Sequence, residues 1–134
     1  MGYGSQYFGM RSPTPASAKS RAWKAFSAYI RKRDPYCITS EGKTTEAGHF
    51  LHTTDKDTNP NLSGNELWYN EKNVNGQCGS CNRFKSGNLA EYAVKLEEKW
   101  GAGTIAELYK LRRTPRKFTL EEILAVEELY KRKL

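Results

Sequence analysis

The chain has 134 residues, 37% of them hydrophobic, which suffices for one compact domain with tails and excludes both two full domains and outright disorder. Lys and Arg outnumber Asp and Glu by 22 to 15, and the excess gathers in "KSRAWKAFSAYIRKRD", "RFK" and "KLRRTPRK". Such clustering expects an acidic partner, most simply a nucleic-acid backbone, or else a basic soluble surface. Three cysteines do not make a disulfide framework, no secretory leader opens the sequence, and no apolar run approaches the roughly 20 residues of a bilayer span. A reducing cytoplasm is the expected compartment, with no membrane.

In chain order, "MGYGSQYFGMRSPTPAS" (1–17) is an aperiodic Gly, Ser, Pro and Tyr mixture and reads as a flexible tail. Residues 18–134 read as a single domain with its core over about 36–100. Ala22, Trp23, Phe26, Tyr29 and Ile30 recur at helical spacing, so a helix is predicted from Ala18 to about Arg33, with Ser17 or Ser20 as its cap and Asp34-Pro35 as its end. Short strands and loops follow: "YCITS", "TTEAGHFLHTT", the polar loop "DKDTNPNLSGN", then "ELWYNEKNV". Asn88 with Glu91 has the form of a capping box, and Leu89, Tyr92, Ala93, Leu96 and Trp100 predict a helix running to Gly101. Thr119 with Glu122 repeats that form before a last helix, about 119–133, striped by Leu120, Ile123, Leu124, Ala125, Leu129 and Tyr130. The order is helix, short strands with loops, helix, helix, an α+β chain without internal repeats.

Chemistry concentrates in the middle. "NVNGQCGSCNRF" holds a Cys-x-x-Cys knuckle, Cys78 and Cys81, with Asn82 directly behind it and Asn73 just ahead; Cys37 stands upstream in "CITS" and His49 in "EAGHF". This order resembles HNH nucleases, and within them the His-Asn-Asn branch of endonuclease VII, where an asparagine follows the last knuckle cysteine. The successive blocks "AFSAYIRKRDPYC", "AGHF", "NEKNVNGQCGSCNRFKSGNLAEY" and "FTLEEI" are similar to those of the phage NinG family, also called Rap, from about Ser20 onward. The resemblance implies a ββα-metal (HNH) nuclease core with a flanking N-terminal helix and C-terminal helices. It further implies an endonuclease that cuts branched recombination intermediates, such as Holliday junctions and D-loops, in the cytoplasm of a bacterial host.

Each residue also has a reading of its own. Phosphodiester hydrolysis needs a deprotonated water, a counter-charge and help for the leaving oxygen. His49 suits the base if an oxygen acceptor holds its other ring nitrogen. By the resemblance, Asn73 steadies the segment that presents it. Asn82 offers a neutral carbonyl oxygen to a hard ion such as Mg²⁺ or Mn²⁺, which keeps several waters and needs few protein ligands. Many HNH enzymes carry a metal-binding aspartate just before the base; here that position is Gly48, which leaves Glu46 or His52 as the next ligand.

A structural Zn²⁺ wants four ligands, and Cys37, Cys78 and Cys81 supply three, because Ser40 stands where the first pair's second sulfur is expected. Three outcomes are open: completion by His52 or another donor, a three-sulfur site with water, or apolar packing without zinc. Arg83 and Lys85 adjoin Asn82 and are expected at the DNA, with Arg112, Arg113, Arg116 and Lys117 gripping flanking arms. A symmetric dimer would address two strands of a junction, and the last helix is a candidate interface or else core. Two alternatives remain beside the branched-DNA nuclease: a non-catalytic zinc-knuckle DNA-binding protein, and an HNH nuclease of ordinary duplex.

Overall fold

The Thr14-Pro15 step starts the first helix, α1 (Pro15–Arg33): the Thr14 hydroxyl accepts from the Ser17 amide at 3.1 Å, and Pro15 sits in the first turn. The helix thus begins ahead of the predicted Ala18, and Thr14, not Ser17 or Ser20, is its cap. The residue before a proline is held in extended backbone, which is the conformation an N-cap needs. The computed structural model describes residues 14–52, 67–113, 116 and 118–134; the whole polar loop "DKDTNPNLSGN" and the first thirteen residues lie outside them.

Two strands follow, β1 (Glu46–His49) and β2 (Val74–Gln77), antiparallel with Glu46 opposite Gln77 and His49 opposite Val74. They are shorter than the sequence patterns suggest. "YCITS" supplies only a single bridge, Tyr36 to Lys43, and a turn. Residues 67–73 turn rather than extend, because the Asn70 side chain accepts from the amides of Lys72 and Asn73 and holds the chain in a local bend. The outer edge of β2 is engaged throughout: Ile38 N–H donates to the Gly76 carbonyl, Gly76 N–H to Asp34 Oδ2, and Arg33 Nη2 to the Val74 carbonyl. A side chain at Gly76 would meet the Asp34 carbonyl at 2.8 Å, so this close approach requires glycine.

After β2 comes a π-helical turn, Ser80–Phe84, then α2 (Leu89–Trp100), α3 (Thr104–Arg112) and α4 (Leu120–Lys133). The Asn88–Glu91 capping box does not form. Ser86, Gly87 and Asn88 all take positive φ as the chain leaves the π-turn, and the Asn88 amide turns toward Cys81 Sγ instead. Helix α3 was not foreseen. Gly103 gives it no side-chain cap; the Glu97 carboxylate of α2 reaches over to accept from the amides of Gly103, Thr104 and Ile105. The Thr119–Glu122 box of α4 forms in both directions.

The small sheet lies between two helical layers. On one side Ala25, Phe26 and Ile30 of α1 pack with Val74 and Tyr130, and Ala18 and Ala22 pack with Ile123 and Leu124 of α4. The last helix is therefore bound into the core of its own chain. On the other side Phe50, Leu51 and Leu67 pack with Tyr92 and Leu96 of α2 and Leu108 of α3. No helix among the described residues is long and apolar enough to cross a membrane.

Candidate functional site

The cysteines come together. The Sγ atoms of Cys37, Cys78 and Cys81 lie within 4.8 Å of one another, close enough to hold a metal such as zinc. Both turns have the same internal bond: the Ser40 amide donates to Cys37 Sγ and the Cys81 amide to Cys78 Sγ, each at 3.4 Å. The first turn has thus kept the knuckle shape although serine replaces its second sulfur, and Ser40 Oγ stands 3.4 Å from Cys78 Sγ. Burial opposes ionisation of Cys37, but hydrogen bonds from Ser40, Thr39 and the Cys78 amide outweigh it and bring the thiol down to about 6. Hydrogen bonds from the Ser40 hydroxyl and the Cys81 amide lower Cys78 as well. His52 is outside this cluster; its ring lies 6.0 Å from that of His49.

His49 ends β1, only 8% exposed, with its ring 4.8 Å from Trp23 of α1 and 4.4 Å from Trp68. Its Nε2 is 3.1 Å from the Trp68 carbonyl, which can only accept, so Nε2 carries the proton and Nδ1 keeps its lone pair. Burial pushes the imidazole down to about 4, the Trp68 carbonyl works against this, and His52 adds a small push in the same direction as burial. At neutral pH the ring is uncharged.

Asn73 is completely buried and closes a clasp. Its Oδ1 accepts from the Leu51 amide at 2.9 Å, while Nδ2 donates to the carbonyls of Leu51 and Leu67 at 2.9 and 3.1 Å. Both ends of the segment that follows His49 are thereby fixed to the start of β2. Asn75, two residues on, is a second hub: its Oδ1 accepts from Lys99, Trp100 and Arg33, and its Nδ2 donates to Tyr92 Oη. Tyr92 Oη in turn donates to the Gly48 carbonyl at 2.7 Å.

Beside Gly48 the remaining polar groups converge. Asn82 Nδ2 donates to Glu46 Oε1 at 2.8 Å, and Arg83 Nε pairs with Glu46 Oε2 at 2.8 Å. A β-carbon at Gly48 would lie 2.7 Å from Asn82 Oδ1 and 2.1 Å from Gln77 Oε1, so the two amide oxygens front one small space that only glycine leaves open. Gln77 is fully buried and its Oε1 has no hydrogen-bond partner. Glu46, Gly48 and Gln77 share one face of the sheet, whereas His49, one residue further along β1, points to the other. The arrangement is thus a cluster of oxygens next to a neutral imidazole, across a strand one residue thick.

The family described as Bacteriophage Lambda NinG protein matches residues 16–134. The chain belongs to the NinG family. Protein ninG of Escherichia phage lambda is 32% identical over 119 residues, covering 85% of this chain and 54% of that protein. The relative from Salmonella phage P22 is 33% identical with the same coverage, and that from Enterobacteria phage H19B is 33% identical, covering 55% of its length. The chain spans about half the length of these curated NinG relatives. No solved structure matches it.

The basic residues singled out in this NinG chain are spread over several elements. Arg83 and Lys85 are exposed on and just after the π-turn, next to Asn82. Arg112 ends α3 and Arg113 caps it. Arg116 pairs with Glu122 at the start of α4 and lies over the Phe118 ring, and Lys117 lies outside the described residues. Arg33, read with the basic face of α1, is structural: it binds Asp34, the carbonyls of Glu71 and Val74, and Asn75 Oδ1. Trp23, Trp68 and Gln77 were missed as parts of the site. For Gln77 a signal existed, since Asn75 and Gln77 alternate in a strand and a half-buried strand normally alternates apolar residues inward.

Proposed function

We propose that this NinG chain is a divalent-metal-dependent DNA endonuclease with a ββα-metal (HNH) core, acting on branched DNA in the cytoplasm of a phage-infected bacterium. One observation carries the reading: Glu46 and Asn82 meet beside Gly48, one residue before a neutral His49 whose Nε2 is already held by the Trp68 carbonyl. Strand, strand and helical turn follow in the order that fold requires, and the three cysteines brace the turn that presents Asn82.

The donor set fits a hard ion such as Mg²⁺ or Mn²⁺: a carboxylate and a neutral amide oxygen, both partly exposed. Asn82 and Glu46 would hold it, and Cys37, Cys78 and Cys81 would hold zinc. When bound, the divalent ion supplies counter-charge to the phosphate and to the departing oxygen. His49 Nδ1 accepts the proton of the attacking water while Nε2 keeps its proton on the Trp68 carbonyl. Asn73 holds the segment behind His49 against recoil. Arg83, two-thirds exposed, can leave Glu46 for a phosphate oxygen, and Lys85 adds a second cation at the strand being cut.

The test is a four-way junction incubated with purified protein and Mg²⁺, beside flap and linear duplex at equal salt. Junction cleavage that is lost by at least about a hundredfold in His49→Ala, and lost on chelation, is expected. Cutting that survives in His49→Ala, or none with any divalent ion, sinks the proposal. One observation favours a second reading, a non-catalytic zinc-knuckle DNA-binding module: His49 is nearly buried between two tryptophans. That reading expects salt-dependent binding to DNA without strand breaks.

A further inference from the structure

We infer that Gln77 supplies a third protein oxygen to the divalent ion, taking the place of the aspartate that many HNH enzymes carry where this chain has Gly48. The inference rests on the metal-dependent reading above and deepens it.

Among the described residues, three buried side-chain atoms lack a hydrogen-bond partner: Thr44 Oγ1, Tyr69 Oη and Gln77 Oε1. The first two are hydroxyls, which rotate and can serve as donor or acceptor. Gln77 Oε1 is different, because an amide oxygen only accepts and its direction is set by the nitrogen on the same carbon. Nε2 donates to the Gly87 carbonyl at 2.9 Å and lies 3.4 Å from Thr39 Oγ1. Turning the amide over would set Oε1 against the Gly87 carbonyl, acceptor against acceptor. The free oxygen is therefore held facing Gly48 and Asn82, and a buried acceptor without a donor is costly unless a cation or a water satisfies it.

The backbone places it there for a reason. Gln77 pairs with Glu46 across the sheet, so both side chains rise on the face that Gly48 leaves bare. A β-carbon at Gly48 would fall 2.1 Å from Gln77 Oε1. The space that an aspartate on β1 would fill is thus occupied from β2 by a longer side chain, and residue 48 must be glycine to admit it. Glutamine oxygen, asparagine oxygen and one carboxylate form a hard-ligand set of low charge, suited to an ion that keeps waters and shares itself with phosphate.

The test measures Mn²⁺ binding to the zinc-loaded full chain without DNA, by the loss of the free-ion electron paramagnetic resonance signal. Gln77→Met is expected to weaken binding about tenfold, and Gln77→Glu, which places a charged oxygen in the same spot, to tighten it by about fivefold or more. A residue that only shapes the core would not give that gain. Zinc content and cooperative unfolding confirm that each variant folds, and if Gln77→Met does not, the sign of the Gln77→Glu change decides alone. Gln77→Glu no tighter than wild type overturns the role of Gln77, while loss of binding in Glu46→Ala and Asn82→Ala would still uphold the metal site. Wild-type protein with no Mn²⁺ site overturns both.

Discussion

Asn73 shows how much a single buried amide can fix. Three backbone groups, from Leu51 and Leu67, depend on it. Asn73→Ala would take this partner from both Leu51 groups in the layer around Leu67 and Leu108, and would leave the Leu67 carbonyl with the longer 3.3 Å bond from the Asn70 amide. The expected cost is about 2–4 kcal/mol in urea unfolding, well above an ordinary surface change. A loss under about 1 kcal/mol would mean that water takes over the bonds and that the clasp is dispensable. Gln77 and Gly48 form a comparable unit across two strands. Neither residue type suggests chemistry by itself; it is their register that gives the glutamine a direction.

At the scale of elements, what could be read from sequence was what local bonds decide. Helix α4 was legible because Thr119 and Glu122 cap it from within, and the stripe of α1 because Ala22, Phe26 and Ile30 repeat at its own period. Helix α3 was not, since its cap is a carboxylate from α2, and the start of α2 was misread because three positive-φ residues take Asn88 out of capping geometry. The site divides the same way. The cysteines, Asn73, Asn82 and His49 lie in motif blocks; Gln77 lies in one as well, but its direction is set by strand register, and Trp68 enters through packing that no short window contains. The turn at 37–40 has serine where a second sulfur is expected, yet its amide-to-sulfur bond persists. Ser40→Cys should therefore complete a four-sulfur site and raise zinc affinity by about tenfold or more in chelator competition. A variant that holds zinc no better than wild type would show that the four positions do not converge on one point.

For the whole molecule, acid stability should fall in two stages. The His49 ring titrates near 4 when folded against 6.5 when free, so between those values the unfolded chain takes up a proton that the folded chain refuses. Stability therefore declines as pH drops from 6.5 to about 4 and loses nothing further through this group below that. Asp34 acts lower: burial raises it, but Arg33, the Gly76 amide and Lys99 more than compensate and hold it below 3.8. Its contribution is present above 3.8 and is lost as pH falls through its folded value. Urea midpoints measured across this range should show the first decline in wild type and a flatter one in His49→Gln. Equal slopes in the two proteins would place the ring in water rather than between tryptophans.

A two-stranded sheet has two edges, and an uncovered edge invites another chain to pair with it. Here Ile38, Asp34 and Arg33 bond the outer groups of β2, and Ile38 sits on the turn that begins at Cys37. Whatever loosens that turn, thiol oxidation for one, also takes the Ile38 amide from the Gly76 carbonyl and opens that part of the strand edge. Damage at the cysteines would then surface as aggregation before it registered as loss of helix, and storage under reducing conditions would protect the sheet edge as much as the sulfurs.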